Sequence, residues 1–319
     1  MLRRIRKILT LDASEDVDES RSKMGGGLQT RFFQKEILPW LFLLPVVGLN
    51  VLVMIGPSVG SVYYAFTDWK GLGSAEWIGL ANFTRAFQDP FLGRALRNNL
   101  KWMALSLFFP PAIALFAAVL LSEIRRGQRL FRAIFFLPVV MSATVAARAW
   151  QGIYHPLFGV LPWLVDHGLE FLDISLLGNP DLALYLVYLA SLWKGWGFSM
   201  VLFFAAMQQV PDELYDAAIV DGANRFQQFL YITLPSIRPT IIIVLIFTLI
   251  GSMLAFNFVY IMTRGGPNHS TDVLALRMYI YAFDRFEAGY GASIGVLLTL
   301  WSAFVTLLFL GLRRMGWEV

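Results

Sequence analysis

Six long apolar segments, separated by short polar connections, set the pattern of this chain. They run over about residues 37–66, 100–122, 131–151, 182–208, 239–263 and 289–312. Each is long enough to cross a hydrocarbon layer, which takes about 20 residues of helix. Their apolar positions are continuous rather than alternating, which favours helices over a β-barrel. The pattern predicts an all-α membrane protein with six transmembrane helices. Segment 37–66 carries no charge, but Pro39, Pro45 and Pro57 predict kinks or a ragged start. Pro110 and Pro111 fall near the middle of the second segment. The last segment is rich in small residues, which suit close helix packing.

Composition supports this reading. The chain has 319 residues, 57% of them hydrophobic and 15% charged. A soluble domain with that balance would expose large apolar patches. No cysteine is present, so disulfides and thiolate metal sites are excluded. The net charge of +4 gives no argument for nucleic acid, because placement matters more than the sum in a membrane chain. Arg3, Arg4, Arg6, Lys7, Arg21, Lys23, Arg31 and Lys35 precede the first segment. Arg125, Arg126, Arg129 and Arg132 follow the second, and Arg313 and Arg314 follow the last. The 155–180 connection has no Lys or Arg. Lys70, Arg85 and Arg94 after the first segment weaken the pattern, but the sum places both termini in the cytoplasm. Residues 1–36 read as a cytoplasmic tail. Leu2, Ile5, Ile8 and Leu9 could make one face of a basic interfacial helix, or the tail could be solvated.

The polar island 210–238, VPDELYDAAIVDGANRFQQFLYITLPSIR, is helix-compatible and falls in the cytoplasm in this orientation. Pro211 suits a first helical turn, and Asp212 and Glu213 favour the helix dipole there. Leu214, Ala217, Ala218 and Val220 offer apolar surface, much of it small enough for another protein to approach closely. Gly222 after Asp221 is a natural turn, since glycine accepts a left-handed backbone. A second helix beginning near Asn224 would carry Phe226, Phe229, Leu230 and Ile232 towards the membrane. The bland reading is an amphipathic loop that packs on its own bundle.

The spacing of Asp216-Ala217-Ala218, Gly222 and Ile232-Thr233-Leu234-Pro235 resembles the "EAA" loop of ABC importer permeases. Thr263-Arg264-Gly265-Gly266-Pro267, Trp77-Ile78-Gly79-Leu80-Ala81-Asn82-Phe83 and Phe135-Phe136-Leu137-Pro138 are similar to segments of the carbohydrate branch, the maltose and glycerol-phosphate importer type. The resemblance covers the chain from about Leu38 onward. It implies the type I importer permease fold in a bacterial inner membrane. It implies a second related permease, two ATPase subunits that hold ATP and Mg, and an external solute-binding protein. The loop would be the lever that docks on the ATPase through Asp212, Glu213, Asp216, Ala217, Ala218, Asp221 and Gly222. Asp216 stands where the family usually has Glu.

Ionisable groups inside spans are expensive and mark function by default. Lys194 lies seventeen residues before Pro211, about 25 Å along a helix. Asn257 lies eighteen residues after Pro239, which predicts a comparable height. By resemblance, Ser191, Lys194, Gly195, Phe198, Asn257 and Val259 correspond to sugar contacts. Trp193, Trp196, Phe256 and Tyr260 are near them in sequence. Arg148 is a second candidate for a buried cation, and two cations on the path would favour an anionic oligosaccharide. Against this, Lys194 could snorkel or pair with a partner subunit.

No phosphate loop is present, and none of the lysines is followed by Ser or Thr. The chain is therefore expected to carry no cofactor and no ATPase activity of its own. His155, His167 and His269 show no metal-ligand spacing. The alternative function is an ion-coupled secondary transporter, which would need a coupling-ion site and usually internal repeats.

Overall fold

The computed structural model describes residues 38–124, 126–167, 175–253 and 255–316. The expected interfacial helix of the tail lies outside the described residues. Among the described residues the chain is helical, with a single isolated bridge between Thr67 and Trp77 as its only β pairing. Four helices are long and apolar enough to cross a membrane, or six spans if each of two bent helix pairs counts as one. The chain forms two compact units, residues 1–60 and 61–319.

In the first unit, α1 (Leu38–Asn50) holds Pro45 inside it and leads through a π-helical turn, Val51–Ile55, into α2 (Gly56–Tyr64). The widened turn falls just before Gly56-Pro57. Proline removes one helical hydrogen bond and crowds the preceding turn, and a π turn is one way a helix absorbs that.

The second unit begins within α2. In α3 (Ala81–Gln88), Asn82 is buried and its Nδ2 donates to the carbonyls of Ala65 (3.0 Å) and Thr67 (2.8 Å). Next comes α4 (Pro90–Glu123), which starts at Pro90 rather than at about Leu100. Asp89 caps it, accepting from the Phe91 N–H at 2.8 Å, and Pro90 takes the first turn, where its missing N–H costs nothing. Capping chemistry, not the edge of the apolar run, sets where this helix begins. It continues through Pro110 and Pro111.

The third expected span is two helices. α5 (Gln128–Val140) and α6 (Ala143–Ile153) meet at 97°. Pro138 lies in the last turn of α5, and the Ser142 hydroxyl caps α6 by accepting from the Val145 N–H. After the short α7 (Val160–Asp166), α8 (Ala183–Met207) matches the fourth segment. The helices of the polar island 210–238, α9 (Asp212–Val220), α10 (Arg225–Gln228) and α11 (Leu234–Ser236), follow, with a π turn at Phe229–Thr233. The fifth expected span, 239–263, is also divided. α12 (Arg238–Met253) stops early, and α13 (Asn257–Met262) is a separate helix.

α14 (Leu274–Tyr279) and its π turn Ile280–Asp284 fold back against α15 (Ala288–Gly316). A Cβ on Gly291 would sit 2.7 Å from the Ala282 Cβ, so only glycine allows this approach. Three buried clusters hold the unit. One joins α4, α6, α8 and α13; one joins α4, α8 and α12; one joins α3, α4, α14 and α15.

Candidate functional site

Helix α9 of the polar island is held by few contacts. Pro211 is its N-cap residue rather than part of its first turn, while Asp212 and Glu213 occupy that turn as expected. Tyr215 and Ala218 are half-buried and define the inward face. Glu213, Asp216, Ala217 and Val220 lie on the opposite face and are exposed, with Val220 at 87%. Asp221 and Gly222 are exposed too. Gly222 ends the helix at φ +77°, and Asn224 then starts α10 with a reciprocal capping box to Gln227. The Tyr215 hydroxyl meets the Thr233 hydroxyl at 2.9 Å. Arg225 pairs with Glu123 at the end of α4. Between these ties lies an open cavity of about 890 Å³, lined by Glu123, Gln128, Met207, Tyr215, Arg225 and Thr233 among others.

On α8, Ser191, Lys194, Gly195 and Phe198 recur at helical spacing and share one face. Lys194 is half-buried, and its Nζ donates to the Val139 carbonyl at 3.3 Å. Val139 lies in the last turn of α5, just before the 97° bend. That carbonyl is among those a helix end leaves without a helical partner, and a cation there suits the helix dipole. Lys194 therefore supports the bend as well as facing the candidate path.

Three expectations change. Asn257 is exposed, but the break between α12 and α13 undoes the height reckoned along one continuous helix. Val259 is fully buried in the core, away from the exposed face of α8. Arg148 is exposed rather than buried, and its Nη1 donates to Gln151 Oε1 at 2.8 Å. The structure thus puts Ser191, Lys194, Gly195 and Phe198 on one face of α8, Val259 in the buried cluster that joins α8 and α13, and Arg148 on the surface of α6.

An outer cluster escaped the sequence reading. Asp272 and Arg277 form an ion pair, each 1% exposed, with His269 Nδ1 at 2.7 Å from Arg277 Nη2. Burial pushes the Asp272 carboxyl above its usual value, against the opposing pull of Arg277 and His269. Asn98 Nδ2 donates to the Ser270 (2.9 Å) and Asp272 (2.8 Å) carbonyls, and Asn99 Oδ1 accepts from the Leu274 N–H (2.8 Å). One turn outward, Asp89 Oδ2 accepts from the hydroxyls of Tyr281 (2.7 Å) and Tyr290 (3.1 Å). Burial raises the Asp89 carboxyl, but these hydroxyls and the N–H groups of Phe91 and Leu92 outweigh it and hold the group below its usual value. Arg277 had a signal in sequence, as the one charge inside the apolar stretch 273–283.

A bent third span, a divided fifth and a protruding loop helix between them form a pattern that comparison can place. Residues 39–315 match the family of binding-protein-dependent transport system inner membrane components. The chain belongs to that family. It is 35% identical to a probable ABC transporter permease of Pyrococcus horikoshii over 274 residues, 85% of this chain and 93% of the relative. It is 35% identical to the diacetylchitobiose uptake system permease of Streptomyces coelicolor, over 85% of this chain and 79% of that one. It is 30% identical to the sn-glycerol-3-phosphate transport system permease of Yersinia pestis, over 82% and 89%. Its fold is similar to that of a bacterial ABC transporter involved in import of the acidic polysaccharide alginate. The TM-score is 0.81 at 24% identity, covering 91% of this chain and 99% of that one. As an ABC importer permease, the protein is an inner-membrane component that works with a second permease, an ATPase and a solute-binding protein. Membership of this family leaves the ion-coupled alternative without support.

Proposed function

We propose that this permease carries an oligosaccharide of anionic character and couples to two ATPase subunits through α9, with both termini in the cytoplasm. The observation that carries the coupling is the outward face of α9. Glu213 and Asp216 stand beside Ala217 and Val220 on a helix turned away from its own bundle. Acids flanking small apolar surface suit a cleft with basic residues. The ties Tyr215–Thr233 and Arg225–Glu123 pass movement of α9 to α10 and to the end of α4. Nucleotide closes the ATPases, α9 moves as a lever, and the bundle opens outward to receive substrate from the binding protein. A clean switch needs about 5.5 kcal/mol of preference for one state.

Orientation gains support from the outer arginines. Arg85 pairs with Glu287 and stacks on Tyr290 at 4.0 Å, and Arg94 donates to the Asn268 carbonyl at 2.8 Å. These cations are engaged within their own side, so they weigh little against the positive-inside pattern. The relatives named for diacetylchitobiose and glycerol phosphate support a carbohydrate or polyol cargo. Lys194 supports an anion: an ammonium has three donors, and Val139 takes one.

Two variants of the reconstituted complex test the reading. Gly222→Trp is expected to abolish transport while the ATPase subunits stay bound, because a side chain at φ +77° is strained. Lys194→Met is expected to cut uptake of a charged oligosaccharide far more than of a neutral one. Equal loss for both would make Lys194 only a support for the bend.

A further inference from the structure

Four aromatic rings form a continuous ladder along α13 and α14. Phe256 stacks on Tyr260 at 5.1 Å between centroids, and Tyr279 meets both, at 5.4 and 5.1 Å. Phe283 extends the series from Tyr279 at 5.1 Å. The Arg264 guanidinium lies 5.5 Å from the Tyr260 ring. Phe283 is 64% exposed, and Phe256, Tyr260 and Tyr279 are half-buried.

The direction of the ladder follows from two anchors on α4. Leu274 at the start of α14 is held by Asn99, and Tyr281 beyond its end is held by Asp89. Asn99 is nine residues along α4 from Pro90, about 14 Å of helix. α14 therefore climbs from the depth of Asn99 to the outer end of α4. The ladder rises with it, from Phe256 beside Asn257 up to Phe283. Two of the four rings carry a hydroxyl, and the Arg264 guanidinium lies beside one of them, Tyr260. Flat rings with hydroxyls and a cation beside them match a pyranose, which has a C–H face, a hydroxyl edge and, in a uronate, a carboxylate.

We infer that Tyr279 and Phe283, with Arg264, form an outer subsite that binds successive rings of an oligo-uronate on its way to the face around Asn257. This rests on the carbohydrate reading above. Sugar rings stack on the aromatic faces, and Arg264 takes the carboxylate as charge-assisted hydrogen-bond donor.

The chain contains no cysteine, so Tyr279→Cys and Phe283→Cys each create one maleimide target on it. Labelling is followed in the whole complex in proteoliposomes. The probes are an oligo-uronate and neutral malto- and chito-oligosaccharides of equal length, with Leu72→Cys, 84% exposed on another loop, as control. The oligo-uronate is expected to slow labelling at 279 and 283 by about 3- to 10-fold, the weight of one aromatic contact, and not at 72. Arg264→Gln is expected to erase the preference for uronate over the neutral sugars. Unchanged labelling at 279 and 283, with a sugar that stimulates ATP hydrolysis by the wild-type complex, overturns the subsite. So does a failure of either cysteine to react in the assembled complex without sugar, because the face is then covered by a partner or lipid. If none of the sugars stimulates wild-type hydrolysis, the carbohydrate reading itself falls, and the subsite with it.

Discussion

The loop at 210–238 and the loop at 264–277 of this permease handle charge in opposite ways. Along α9 the acids Glu213 and Asp216 point away from the bundle, and two light ties hold the helix. Along residues 270–277 the charges turn inward: Asp272 and Arg277 are almost completely buried, and Asn98 and Asn99 of α4 clamp the backbone around them. One loop leaves its acids exposed on the face turned from the bundle. The other spends its polar groups on fixing its own position, over 170 residues away in sequence from the asparagines that hold it. The difference teaches that buried charge here marks the anchorage of α13 and α14, while the acids of α9 stay exposed.

Breaking the outer pair gives the largest expected effect on folding. Arg277→Met leaves the buried Asp272 carboxyl with only His269 beside it, and removing one partner of a buried pair costs about 3–5 kcal/mol. A clear fall in the melting midpoint of the purified complex is expected, and adding Asp272→Leu should restore most of it. A midpoint unmoved by the single change would show that the pair does not anchor the loop.

Asp89 is exposed enough that its effect should be smaller, and it appears as pH dependence. Its folded carboxyl titrates below the usual 3.8, so its stabilisation is present above that value. It is lost as pH falls through the folded value. The melting midpoint of the wild type should drop more steeply than that of Asp89→Asn between about pH 5 and about pH 3. Parallel curves would mean that the tyrosine hydroxyls contribute nothing through its charge.

The smallest effect on folding is expected on α9, where the effect expected on assembly is large. Glu213→Lys with Asp216→Lys should change stability by no more than about 0.5 kcal/mol per site, as for other exposed positions. Retention of the ATPase on affinity purification should be lost. Retention at the wild-type level would break the contrast between the two loops.

Much of this was legible in sequence. The apolar runs gave α1–α2, α8 and α15 nearly to their ends, because hydrocarbon thickness fixes helix length. The turn at Gly222 was legible because glycine stands where a left-handed residue is needed. The bends in the third and fifth spans were not: a run that is apolar on both sides of a break looks the same as one straight rod. The exposure of Arg148 and the burial of Val259 were hidden for a related reason. Within a short helix, a residue's facing depends on which neighbours the bend presents, and no local pattern records that.

The sequence by itself determined the class of molecule, the apolar runs and the polar helical loop at 210–238, since all three follow from hydropathy and from residues close together along the chain. Only the tertiary structure decided which charges are buried and which polar groups hold the outer loop. Asp272 and Arg277 are ordinary residues until Asn98, Asn99 and Phe91 close around them, and that closure depends on contacts between segments far apart in sequence.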